Sequence, residues 1–248
     1  MEVHILTIFP SIFVSPLDAS ILKRALERDL LRVHVHNIRD FTSDRHRVTD
    51  DYPYGGGAGM IMKPEPIVAG IQAIQECCGP IYSILLSPQG QVLTQDLVKA
   101  LASRERLLLI CGRYGGVDAR VQQYVDTEIS IGDYVVSGGE LPALVLLDAV
   151  ARMIPEVLGD RQSVEDDSWF DGLLQGPQYT RPEVFAGVRV PPVLLSGDHR
   201  AIAQWRRRQA LWTTLQRRPE LLQHASLSAD DRHLLHELQS HEALSHGH

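Results

Sequence analysis

"RLLLICGRYGGVD", residues 106–118, decides how this chain is built. Leu107 to Cys111 is an apolar run without alternation, shorter than an ordinary helix, and it stops on Gly112, Gly115 and Gly116. A strand with one solvated face alternates polar and apolar residues. A strand that does not is buried on both faces, as in a parallel sheet covered by helices on either side. The glycines predict close approach of main chain to a ligand at the carboxyl end of the strand, where α/β sheets bind.

Working outward, "VHILTIFP" (3–10) predicts a first strand, Pro16–Arg28 a helix, and "LLRVHVHNI" (30–38) a second strand. Residues 39–62 have no period and end in glycines; a loop this long in a compact domain is commonly functional. A helix is expected from Pro64 to about Gln75. "IYSILLSPQG" (81–90) reads as a strand entering a turn, and "LTQDLVKALAS" (93–103) as a helix. "ARVQQYVDTEISIGDYVVSGG" (119–139) carries a short helix and a further strand, and "ELPALVLLDAVARMIP" (140–155) a helix stopped by Pro155. The fold class is therefore α/β, a mainly parallel sheet with helices on both faces.

Composition changes after Gly159. Expected divisions are an α/β domain over 1–159, an acidic linker or lid over 160–172, and a small all-helical domain over 173–248. Its helices are placed at about 199–216, capped by Ser196 or Asp198, and at about 228–240, with Trp205 and Trp212 in its core.

Of 248 residues 44% are hydrophobic, enough for a proper core, and no apolar run is long enough to span a membrane. "MEVHILTIFP" enters a strand with no basic leader, so a cytoplasmic protein is expected. Cys77, Cys78 and Cys111 have neither disulfide nor zinc spacing. The net charge of -7 argues against a general nucleic-acid coat, not against local positive charge. Only Lys23, Lys63 and Lys99 among the 24 basic residues are lysine; the rest are arginine, whose fork suits phosphate and guanine edges.

Three strand ends share the small-residue pattern: "LLSPQG" (85–90), "CGRYGG" (111–116) and "IGDYVVSGG" (131–139). No G-x-G-x-x-G follows the first strand and no phosphate-binding lysine loop is present; "GGGAGM" (55–60) sits inside the polar loop. A cofactor gripped by main chain and lacking phosphates, as adenosylmethionine does, fits better than a nucleotide.

"TIFP", "RDF…DRHR…DDYPYGGGAGM", "LSPQG", "CGRYGGVD", "SIGDYVVSGGELPA", "GLLQGPQYTRPEV" and "PPVLLSGDH" together resemble bacterial tRNA (guanine-37 N1)-methyltransferases, from residue 3 to about 225. The resemblance implies a SPOUT-class α/β domain with a C-terminal trefoil knot and a helical tRNA-binding domain. It implies a homodimer whose active site is shared between subunits. It also implies methylation by S-adenosyl-L-methionine, with S-adenosyl-L-homocysteine as product, at N1 of the guanosine after the anticodon. Cofactor contacts carried over are Leu85, Leu86, Ser87, Pro88, Gly90, Gly112, Tyr114, Ile131, Gly132, Asp133, Tyr134, Val135, Val136, Ser137, Gly138, Gly139, Leu141 and Pro142.

Guanine N1 must lose a proton as the methyl arrives, so a base near N1 and a donor near O6 are needed. Taken alone, the run Glu165, Asp166 and Asp167 reads as a solvated linker; the resemblance makes Asp167 the general base. Arg152 either caps the end of its helix or, by the resemblance, orients Asp167 or stabilises charge on O6. Expected RNA contacts are His46, Asp50 and Gly57 in the long loop, with Arg24 and Arg39 at phosphates. His199, Arg206, Arg207 and Arg208 are expected to meet the anticodon stem-loop. The pattern departs at Gly115, where the family motif has an acid associated with magnesium. No metal ligand is assigned, and Asp118 or Glu140 is the acid expected to substitute electrostatically. Two alternatives stand: a knotted-class enzyme acting on another RNA position, and a catalytically weak tRNA-binding protein.

Overall fold

The computed structural model describes residues 1–158, 168–169 and 171–245. The chain forms two compact units, 1–159 and 160–248. In the first, β1 (Glu2–Thr7) leads through α1 (Val14–Leu17) and α2 (Ser20–Glu27) to β2 (Arg32–Asn37). A small antiparallel pair, β3 (Asp50–Asp51) and β4 (Ile61–Met62), brackets the glycine loop. Then come α3 (Pro64–Cys78), β5 (Tyr82–Val92), α4 (Gln95–Ala102), β6 (Arg106–Cys111), β7 (Thr127–Ser130) and α5 (Glu140–Ala151). The main sheet has five strands in the order β2-β1-β6-β5-β7, every pair parallel.

The apolar run of β6 splits between two cores. Leu107, Leu109 and Cys111 pack with Val3, Ile5, Leu22, Leu146 and Val150 on one face; Leu108 and Ile110 pack with Leu6, Ile67, Ile71 and Ile74 on the other. Alternate residues of one strand thus enter opposite cores, which is why the sequence shows no alternation.

Three local readings differ from expectation. The helix expected over 16–28 is broken, because Ser20 adopts φ 51, a left-handed value no continuous helix accommodates. The strand expected to turn at 87–90 continues to Val92: Leu86 and Gln91 both pair with Ile129, so the four residues between them are extruded as a bulge. β7 stops at Ser130, and residues 131–138 form a loop that meets the segment after β6 through an isolated bridge between Arg113 and Gly138.

In the second unit α6 (His199–Arg217) is capped by Asp198, whose carboxylate accepts from Arg200 N and Ala201 N. With α7 (Ala229–Ser245) it buries Leu173, Leu211, Leu235 and Leu238, and Trp212 packs on this core. Trp205 does not join it; its ring faces Tyr179, centroids 6.2 Å apart. The unit also contains a hairpin, β8 (Val184–Phe185) with β9 (Val188–Arg189), too short to leave a periodic signal. Among the described residues no helix is long and apolar enough to cross a membrane.

Candidate active site

At the carboxyl ends of β5, β6 and β7 lies a cavity of about 550 Å³, lined by residues 85–89, 112–119, 128–132 and 134–139 together with Gln122 and Pro142. Gly138 and Gly139 in its wall leave no room for a side chain. A Cβ on Gly139 would stand 2.7 Å from Cys111 Cα, and one on Gly138 would stand 2.5 Å from Arg113 Cδ. Gly139 N donates to Gly112 O at 2.8 Å, fastening the returning loop to the end of β6. Tyr114 holds φ 59, a strained value for a large residue, half-exposed at the cavity wall.

Beneath this wall is a charged anchor that sequence reasoning missed. Glu140, in the first turn of α5, is 1% exposed and accepts a hydrogen bond from Thr7 Oγ1 at 2.8 Å. Arg113 Nε stands 3.2 Å from its other oxygen as an ion pair without hydrogen-bond alignment, while Arg113 Nη1 donates to Ser137 O at 2.9 Å. The guanidinium also lies 4.6 Å from the Phe9 ring centroid. One carboxylate at a helix N-terminus, where the backbone dipole favours it, thereby ties α5 to the ends of β1 and β6. The signal was faint: Thr7, Arg113 and Glu140 are far apart in the chain.

The structure brings most predicted cofactor contacts together. Leu85, Leu86, Ser87, Pro88, Gly112, Tyr114, Ile131, Gly132, Tyr134, Val135, Val136, Ser137, Gly138, Gly139 and Pro142 all line the cavity. Gly90, Asp133 and Leu141 do not. Gly90 instead crosses β7, where a Cβ would stand 2.4 Å from Glu128 C and Ile129 N. Both acids considered as substitutes near Gly115 are engaged. Glu140 is buried as described, and Asp118 is held by Arg120 at 2.7 and 2.8 Å, which brings its pKa down to about 2.

Arg152 is half-buried at the end of α5, its N–H bonded to Asp148 O. Asp167, with linker residues 160–166 and 170, lies outside the described residues. In the long loop Gly57 has φ 122, His46 is exposed, and Asp50 sits in β3, where its carboxylate accepts from Thr49 Oγ1. This loop is joined to the cavity wall, Gly115 N donating to Met60 O and Met62 N to Gly116 O. Arg24 is exposed, and Arg39 Nη1 donates to Arg47 O.

In the second unit Arg206, Arg208 and His199 are exposed. Arg207 is turned inward: it pairs through two nitrogens with Asp231, at 2.8 and 2.9 Å, and also with Asp171. Successive helical residues point about 100° apart, so three consecutive arginines cannot share one surface. Trp205 and Arg206 wall two clefts of about 370 and 550 Å³ there.

Fold and cavity define the class: an α/β protein with a main-chain-lined cavity at the carboxyl ends of neighbouring parallel strands, where such sheets bind ligands. The chain belongs to the tRNA (Guanine-1)-methyltransferase TrmD family, whose model matches residues 1–224. It is similar to a tRNA (guanine-N(1)-)-methyltransferase of Geotalea uraniireducens, 55% identical over 240 residues that cover 96% of this chain and 97% of the relative. A relative of the same name from Dictyoglomus turgidum is 49% identical over 239 residues, again 96% and 97%. Among solved structures it resembles the tRNA (m1G37) methyltransferase of Aquifex aeolicus, with TM-score 0.74 and 38% identity, covering 90% of this chain and 95% of that one.

Proposed function

We propose that the protein transfers the methyl group of S-adenosyl-L-methionine to N1 of guanosine 37 of tRNA, beside the anticodon, and works in the cytoplasm. The observation that carries this reading is the glycine-walled cavity, set in a chain related almost end to end to enzymes of that name. Its volume suits a ligand of this size. Main-chain groups of Leu86, Ser87, Gly112, Ile131, Gly132 and residues 134–136 would hold the nucleoside, whose lack of phosphates matches a wall with no phosphate loop. When bound, the cofactor supplies an electrophilic methyl.

The protein's own residues have then to position guanine and manage its proton. Asp167 takes the N1 proton, and Arg152, at the end of α5, orients Asp167 or stabilises the charge that spreads to O6. A free carboxylate is too weak a base for this task, so its pKa is raised in the complex or proton loss accompanies methyl arrival. Asp50 accepts from the guanine N2 amino group, which adenine lacks. Arg206, Arg208 and His199 meet the anticodon stem, with Arg24 and Arg39 at further phosphates.

The site is completed in a homodimer. Tyr134, Val135, Leu141 and Val145 are 58%, 84%, 52% and 48% exposed, apolar side chains near the cavity that a second copy would cover. With Gly115 in the acid's usual place, and Asp118 and Glu140 already paired, these residues are given no metal role. Transcripts carrying guanosine, inosine or adenosine at position 37 test the reading. Guanosine is methylated, inosine slowly because it lacks the amino group, and adenosine not at all. Equal methylation of all three overturns it.

A further inference from the structure

A second cluster of chemically capable side chains lies at the other end of the sheet. β1 and β2 run parallel with His4 opposite His34, and Glu2 is two residues before His4, on the same face. Glu2 Oε1 stands 3.4 Å from His4 Nε2 and 3.1 Å from His34 Nε2, and one ligand atom from each residue lies within 4.8 Å of the others. Donors about 2.0–2.1 Å from a tetrahedral zinc ion are themselves about 3.3 Å apart, so the two distances from Glu2 match what an ion demands.

His4 supplies the second, independent observation. It is 3% exposed, and its Nε2 makes no hydrogen bond although it is shielded from water. Glu2 is within ion-pair range of this nitrogen but is not aligned with it. Buried polar atoms are ordinarily satisfied. The ring's other nitrogen, Nδ1, is 2.9 Å from His36 Nε2. With Nδ1 donating, Nε2 presents a lone pair toward Glu2 and His34, the outer-shell arrangement that orients metal-bound histidines. Arg106 Nε holds Glu2 Oε2 at 3.2 Å, fixing the carboxylate while leaving Oε1 available.

We propose that Glu2, His4 and His34 bind one divalent transition-metal ion of the Zn²⁺ class, clamping the edge strand β2 to β1. Two imidazoles and one carboxylate suit Zn²⁺, Co²⁺ or Cu²⁺ rather than Mg²⁺, and water takes the fourth position. The rings of His4 and His34 are stacked, centroids 4.8 Å apart. Convergence on an ion therefore requires the half-exposed His34 to rotate about χ2, a broad and soft torsion.

The test is a Co²⁺ titration of the metal-free full chain, read by visible absorption, followed by competition with Zn²⁺ in calorimetry. His246→Ala/His248→Ala serves as a control, since two histidines two residues apart near the C-terminus are a rival ligand set. The site predicts a four-coordinate Co²⁺ spectrum displaced by one Zn²⁺ per chain. His34→Ala and Glu2→Gln, shown to be folded by circular dichroism, weaken binding more than about tenfold. Methyl transfer is unchanged in both, and the tail variant binds as the parent does. No cobalt spectrum, undiminished binding by His34→Ala, or loss confined to the tail variant overturns the proposal.

Discussion

Replacing Gly139 with alanine puts the close packing at the strand ends to a quantitative test. Its φ of -75° is ordinary, so an alanine there suffers no backbone strain and the whole cost is contact. The new Cβ would stand 2.7 Å from Cys111 Cα, 3.0 Å from Gly112 N and 3.2 Å from Cys111 C. Carbon atoms settle at about 3.5–4.0 Å, so one main chain has to retreat by about 1 Å. Neither has a flexible end to swing aside. Retreat stretches the Gly139 N to Gly112 O hydrogen bond, now 2.8 Å. Overpacking of this kind costs about 1–3 kcal/mol and the weakened bond about 1 kcal/mol more. At about 2–4 °C per kcal/mol for a chain of this length, Tm falls by about 5–15 °C. Cofactor affinity falls with it, because both segments wall the cavity. Thermal and urea unfolding measure the first effect, calorimetry with S-adenosyl-L-methionine the second. Gly90→Ala is worse, its Cβ meeting β7 main chain at 2.4 Å, and Gly115→Ala milder, meeting Met60 O at 3.1 Å. Gly139→Ala within about 0.5 kcal/mol of the parent, the range of an ordinary surface change, refutes the steric argument.

Thr7→Val keeps the shape but strips the donor from buried Glu140 and the acceptor from Phe9 N; equilibrium unfolding shows a loss of about 2–3 kcal/mol. The arginine trio separates by salt dependence: Arg206→Ala and Arg208→Ala each weaken tRNA binding and reduce the log–log salt slope by about 0.7–0.9 if each meets one phosphate. Arg207→Ala instead lowers the stability of the second unit, because its guanidinium is committed to Asp231 and Asp171. Arg207 also holds the Asp231 carboxyl well below the usual range. A depressed folded-state pKa gives stability that is present above the unfolded value of about 3.9 and is lost as pH falls below it. Acid unfolding of the second unit followed by near-ultraviolet dichroism shows this loss, and Asp231→Asn removes that pH dependence.

What the sequence disclosed follows the range of the forces involved. Leu107–Cys111 announced a strand buried on both faces because its pattern is local, and Asp198 disclosed a helix start for the same reason. The glycines at 112, 138 and 139 signalled close approach, though not what they approach: Cys111 main chain and the Arg113 side chain lie across the cavity wall. The bulge at 87–90 looked like a turn because serine, proline and glycine serve both, and only pairing with Ile129 distinguishes them. The Thr7–Glu140–Arg113 anchor and the Glu2–His4–His34 cluster depend on which strands become neighbours, a property of topology. Trp205 looked like core seven residues before Trp212, but the helix turns it toward Tyr179 instead.

The proposed function requires a methyl group to reach a guanine ring nitrogen at position 37. Its most direct measurement is mass analysis of nucleosides from tRNA incubated with the protein and isotope-labelled S-adenosyl-L-methionine. Label is expected in 1-methylguanosine from position 37, lost in Asp167→Ala while cofactor affinity persists. Label on a ribose, on another base, or undiminished in Asp167→Ala would contradict it.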